Sequence, residues 1–207
     1  RTSPKVQAAL LEAMAEKQVT VDNVSHRLDD LFFVIATQNP LDLAGTFPLP
    51  AAQLDRFLFK IRMHHIAKEA ELDILANLKQ IKAGARQDLE SVTRSEILAT
   101  RRVIEEQVHV SPLVHHAIVA IAEVTRTDPR ILQGISTRSL VLMIPALQAH
   151  ALMNLRDHVT ADDVRALALH VLGHRMELAP GAGRIEAAVD ECVAKPLEIL
   201  SRQTLRR

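Results

Sequence analysis

The sequence predicts a chain that changes fold class along its length: a small α/β portion over residues 1–66, then an all-α helical domain over residues 67–207. Three observations carry this expectation. Leu31 to Thr37, LFFVIAT, is a continuous apolar run rich in β-branched residues, the pattern of a parallel strand covered on both faces. Val19 and Val21 alternate with polar residues ahead of a turn signal at Asp22-Asn23, which is the pattern of a β-hairpin. Beyond Ala67, apolar residues recur at helical spacing, with Ser, Thr and Pro where helices begin.

Taken in order, Ser3 as N-cap and Pro4 at the first helical position start a helix with Val6, Ala9, Leu10, Ala13 and Met14 on its apolar face. The hairpin occupies QVTVDNVSHRLDD, and LFFVIAT follows as a strand. FLFKIRM, Phe57 to Met63, is a second strand candidate. A helix runs from Ala67 to about Ala83, with Glu69 and Glu71 favouring its dipole in the first turn. AGARQDLES reads as a linker. Thr93 with Glu96 forms a capping box for a helix to about Gln107. Ser111-Pro112 opens the next, whose face is Val114, Ala117, Ile118, Ile121, Ala122 and Thr125. From Ser136 to Asn154 a helix turns Leu140, Ile144, Leu147 and Ala151 inward, and Pro145 should kink or divide it. Thr160 caps a helix carrying Val164, Leu167, Ala168, Val171 and Leu172 on one side, and Asp162 and Asp163 fit its N-terminal turn. A last helix spans roughly Gly183 to Leu200. There is no internal repeat.

The 207 residues are 48% hydrophobic, enough for one large domain or two small ones. Lys plus Arg and Asp plus Glu balance at 25 each, and aromatics make up 2% with no Trp or Tyr. Neither a basic field nor stacking rings argue for nucleic acid. No apolar run approaches the roughly 20 residues of a membrane-spanning helix. Arg1-Thr2-Ser3-Pro4 has no signal-peptide pattern, so the chain reads as cytoplasmic. Cys192, the single cysteine, lies on the stripe Ile185, Ala188, Val189, Cys192, Val193 and reads as a core thiol.

Several constellations fail on their chemistry. A phosphate-binding P-loop needs glycines followed by a lysine, and none of the six glycines precedes a lysine. His170 and His174 stand four apart on a helix, a metal-sharing spacing, yet no third ligand or intervening glutamate accompanies them. No metal site is expected. Asn39 ends the predicted strand, at the edge of the sheet where open α/β folds gather ligands. Its amide could orient a water and touch a phosphate oxygen there, or could cap the loop before Pro40. Arg56, on a short helix ahead of FLFKIRM, reads on spacing alone as a surface charge or the partner of Asp55.

SPKVQAALLEAMAEKQVTVD, FFVIATQNP, GTFPLPAAQLDRFLFKI and GISTRSL, in that order, resemble the MoxR branch of the AAA+ ATPases, from residue 1 to about 175. The resemblance implies the C-terminal half of an AAA+ P-loop core with parallel strands, followed by a helical lid. It places the phosphate loop and the Mg²⁺-binding acidic motif upstream of Arg1. By position, Asn39 matches sensor 1, which reaches the nucleophilic water and γ-phosphate. Arg56 in LDRF matches the arginine finger presented to the neighbouring subunit. Arg138 in STRSL matches sensor 2, which contacts the γ-phosphate in its own subunit; its other reading is an exposed helix arginine. The hairpin from Val19 to Leu28 matches a pore-facing hairpin.

The implied cofactors are ATP and Mg²⁺. The implied partners are identical subunits in a ring, commonly a hexamer, a protein client and a von Willebrand factor A domain protein. The implied work is chaperone-like remodelling or metal or cofactor insertion, with this stretch inactive by itself. The alternative is a non-catalytic interaction module, because these residues include no P-loop. A DNA-dependent motor fits poorly with the neutral charge. A half-core is further expected to associate or repack its exposed apolar face.

Overall fold

A computed structural model describes residues 10–14, 16–38, 51–82 and 91–204. Asn39, the helix start at Ser3-Pro4 with Val6 and Ala9, the proline-rich loop to Pro50 and most of the expected linker lie outside the described residues. Helix α1 (residues 10–14) leads through Lys17 into strands β1 (Gln18–Val21) and β2 (Val24–Arg27). They pair antiparallel, Val21 opposite Val24. Asp22 and Asn23 take φ of 49° and 63°, the left-handed pair that a two-residue hairpin turn with the right twist requires. The hairpin is fastened to α1: Thr20 Oγ1 donates to Glu12 Oε1 at 2.7 Å.

Helices α2 (Ala51–Leu54), α3 (Lys68–Ala76) and α4 (Leu78–Lys82) follow. The helix expected from Ala67 to Ala83 is two, because the chain turns at Asn77, whose side-chain amide donates to Asp73 Oδ1 at 2.8 Å. Helix α5 (Arg94–Gln107) begins with the expected capping box: Thr93 N–H donates to Glu96 Oε2 at 2.7 Å, and Glu96 N–H donates to Thr93 Oγ1 at 3.3 Å. Helix α6 (Pro112–Thr127) is capped by Ser111 and buries the six residues expected of it. Helix α7 (Thr137–Met153) is undivided by Pro145. Pro145 and Val141, whose carbonyl has lost its helical donor, both lie on the exposed side, so that carbonyl is not stranded in the core.

Helices α8 (Ala161–Leu172) and α9 (Ile185–Thr204) complete the bundle, α9 packing on α6 and α8 and α7 on α8. The core joins Ile121, Leu147, Val171, Val189 and Leu197, all buried. Cys192 belongs to it, and burial pushes its thiol pKa up, so it stays protonated. A short antiparallel pair, β3 (Ile131–Gln133) with β4 (Glu177–Leu178), ties the entry to α7 to the exit from α8. Among the described residues no helix is long and apolar enough to cross a membrane.

Both expected parallel strands depart from expectation. Leu31–Thr37 and Phe57–Met63 carry no strand ladder, and the sheets among the described residues are two antiparallel pairs. A strand exists only through a hydrogen-bonded strand neighbour, and no described strand pairs with either run. Several of their apolar side chains accordingly stand in solvent: Phe33 is 72% exposed, Ile35 80% and Met63 91%, while Leu58 packs against the helical core.

Candidate functional site

The approach to Arg138 is built by close packing. A Cβ at Gly134 would lie 2.7 Å from the Thr125 carbonyl oxygen and 2.9 Å from Arg126 Cγ, so only glycine lets this turn rest on the end of α6. Ile135 is buried beside it, its N–H donating to Thr125 Oγ1 at 3.2 Å, while Arg126 Nε donates to the Ile135 carbonyl at 3.0 Å. Ser136 then caps α7, taking the Ser139 N–H at 3.3 Å. Arg138 is therefore exposed in the first turn of α7 while Ser139, the next residue, is wholly buried. Gly134→Ala is expected to cost about 1–3 kcal/mol, read as a lower urea midpoint, because a backbone carbonyl cannot step aside as a side chain tip can.

Arg56 follows α2 and is half-buried, with Nη1 donating to the Leu11 carbonyl on α1 at 3.1 Å. Its neighbours are held from the far end of the bundle. Arg175, just beyond α8, buries its guanidinium to 1% exposure and donates through Nε to Asp55 Oδ1 at 2.8 Å. Through Nη2 it donates to the Asp55 carbonyl at 3.0 Å and the Phe57 carbonyl at 2.7 Å. Nη1 reaches the Leu58 carbonyl at 3.2 Å and the Val171 carbonyl of its own helix. His174 Nε2–H also donates to the Phe57 carbonyl at 2.9 Å, and the Lys60 N–H donates to the His170 carbonyl at 2.9 Å.

Burial lowers the Arg175 pKa, the Asp55 carboxylate opposes that fall, and the charge of Arg138 adds to it. Burial likewise lowers His174, which leaves the ring neutral at pH 7 with its one N–H on the Phe57 carbonyl. Asp55 Oδ1 also accepts from Ser139 Oγ at 3.4 Å. One ion pair, its guanidinium buried and its carboxylate partly exposed, thus stands between Arg56, adjacent to Asp55, and Arg138, adjacent to Ser139. Asp55 pairs with Arg175, so of the two readings that spacing left for Arg56, surface charge or partner of Asp55, the second does not hold. Arg175 was missed because a basic residue after a helix is already explained by the dipole. The available signal was its register, on the buried stripe Val164, Ala168, Val171, Arg175.

A second buried charge lies at the other end of α8. Asp163, fully buried, accepts from Arg156 Nη1 and Nη2, each at 2.6 Å, from His150 Nδ1 at 2.6 Å and from the Thr160 N–H at 2.8 Å. Burial would raise this carboxyl, but the bonds from Arg156, His150 and Thr160 prevail and hold it well below the usual range. Asp163 is structural. Among the described residues no group of three or more His, Cys, Asp or Glu could hold a metal ion. His174 commits its Nε2–H to the Phe57 carbonyl. The exposed Arg138 and half-buried Arg56 are guanidinium donors of a kind that suits phosphate oxygens.

Comparison with known proteins agrees in class. Residues 1–59 match a family model described as the ATPase family associated with various cellular activities, and residues 123–192 match one described as the AAA lid domain. A crystal structure of a candidate ATPase from Cytophaga hutchinsonii superposes with a TM-score of 0.84 at 32% identity, over 94% of this chain and 62% of that one. The fold is an AAA+ ATPase-like one with a helical lid.

The chain is 44% identical over 203 residues to the uncharacterized protein YeaC of Bacillus subtilis, covering 97% of this chain and 61% of that protein. It is 33% identical over 192 residues to the chaperone MoxR1 of Mycobacterium tuberculosis, covering 86% and 48% respectively. The chain belongs to the MoxR family of AAA+ ATPases. It spans roughly half to three-fifths of the length of these relatives.

Proposed function

We propose that the chain is the sensor and lid portion of a MoxR-type ATPase whose subunits form a ring, commonly a hexamer, and use ATP hydrolysis to remodel a client protein. In this reading residues 1–66 belong to the α/β core, whose parallel strands pair with the part of the protein upstream, and residues 67–207 form the lid. The observation that carries it is the junction at Asp55 and Arg175, which links the segments bearing Arg56 and Arg138 through a single partly buried ion pair. Arg138 adds support, because a cation in the first turn of a helix opposes the dipole unless an anion lies near it.

ATP with Mg²⁺, held by the upstream phosphate loop and acidic motif, supplies the phosphoanhydride bond. Arg138 places a permanent charge beside the terminal phosphate of its own subunit, and Asn39 orients water at the same phosphate. Arg56 does for the neighbouring subunit what Arg138 does at home, with a planar fork that matches phosphate oxygens. The exposed Val21 and Val24 at the hairpin end offer an apolar contact for a client. A von Willebrand factor A domain partner and a cytoplasmic setting accompany this reading. The test is ATP hydrolysis by the purified full-length protein, expected well above that of a variant with its phosphate-loop lysine replaced. Equal rates in the two would overturn the proposal.

A further inference from the structure

We propose that Arg175, assisted by His174, is a positioning residue for Arg56 and makes the placement of that arginine depend on the lid. This rests on the reading of Arg56 as a group acting on a neighbouring subunit's nucleotide. Arg175 grips the carbonyls of Asp55 and Phe57, one on each side of the Arg56 residue, and the Asp55 carboxylate as well. With the backbone fixed before and after it, the Cα of Arg56 has little freedom to drift. The grip is hard to loosen: a guanidinium at 1% exposure that lost Asp55 would be left as an unpaired buried charge.

An apolar side chain could fill this space but could not set the direction of two carbonyls; a planar fork with donors on three nitrogens can. His174 adds a second donor to the Phe57 carbonyl, and Lys60 closes the segment onto the end of α8. The other side of the pair meets the lid at Ser139, next to Arg138. A displacement of α7 or α8 therefore reaches the residue before Arg56 through Asp55, and what the lid senses at Arg138 alters where Arg56 stands.

The experiment uses the full-length protein with Arg175→Lys, which keeps the charge and loses the fork. Turnover at saturating ATP is expected to fall about 10²-fold, the scale of a misplacement near 1 Å. The KM for ATP should stay within about twofold, because the variant's own nucleotide contacts are intact. Mixing Arg175→Lys subunits with subunits lacking the phosphate-loop lysine should restore part of the activity, since the second kind still presents a well-placed Arg56. In the same variant, hydrogen exchange at the Lys60 amide should quicken. Should Arg175→Lys fold poorly, His174→Ala removes one donor to Phe57 and is expected to lower turnover about fivefold, the worth of a single hydrogen bond, with the same recovery on mixing.

Wild-type turnover in both variants would overturn the proposal, as would a loss that mixing does not relieve, which would place the defect in the variant's own site or fold. If Arg56→Ala itself turns over normally, the reading of Arg56 fails and takes this proposal with it. If Arg56→Ala is inactive while Arg175→Lys is normal, this proposal alone fails.

Discussion

Arg56→Ala is expected to reduce ATP turnover by the full-length protein about 10³-fold or more, the scale on which an arginine finger acts, while nucleotide binding persists. Loss of structure cannot account for so large an effect. Arg56 is half-buried, and among the described residues its side chain bonds to the Leu11 carbonyl, an interaction to a charged donor worth about 1.5–3 kcal/mol. That is a fraction of the 5–15 kcal/mol by which domains are typically stable. Steady-state hydrolysis with parallel fluorescence titration of an ATP analogue separates the two effects. Arg56→Lys should recover little, because an ammonium cannot reproduce the planar fork. Mixing Arg56→Ala with subunits lacking the phosphate-loop lysine should restore some turnover, and unchanged turnover in Arg56→Ala would remove the finger assignment.

Asp163→Ala is expected to cost about 3–5 kcal/mol of stability, the penalty for stranding a partner of a buried pair. Arg156 would lose both carboxylate bonds, His150 its acceptor, and the Thr160 N–H at the start of α8 its cap. Urea denaturation at pH 7 measures this. Its pH dependence has a definite sign. The folded carboxyl is depressed below its ordinary 3.8, so its contribution is fully present above about pH 4 and fades as acid approaches the lower folded value. The gap between wild type and Asp163→Ala should therefore hold constant from neutral pH to about pH 4.5 and narrow below it. A gap that widens in acid would refute the assignment.

The helical half was legible because its signals are local. Ser111-Pro112, Thr93 with Glu96 and the face Val114 to Thr125 each announce a helix within a few residues of themselves, and the structure follows them. The strands were not, because pairing is a relation between segments: LFFVIAT has the composition of a buried strand, yet nothing in its seven residues says what lies beside it. The β3–β4 pair escaped notice for the same reason, two and three residues being too few to show alternation. At the candidate site, motif positions drew attention to Arg56 and Arg138. The pair that connects their neighbourhoods spans 120 residues of sequence, and no local pattern couples Asp55 to Arg175. Asp163 was read as a helix-end charge; its place on the buried side, one residue before Val164, was the clue that it needed cationic partners.

The acceptor chosen by Arg56 gives the hairpin a mechanical meaning. Leu11 is adjacent to Glu12, and Glu12 is the residue that Thr20 of β1 holds at 2.7 Å. The hairpin and the guanidinium thus hold adjacent residues within one turn of α1. A tug on the hairpin, transmitted as tension along that turn, would pull at the very carbonyl on which Arg56 rests. If Arg56 acts on a neighbouring subunit as proposed, these two bonds would make α1 a short beam between the hairpin and that arginine.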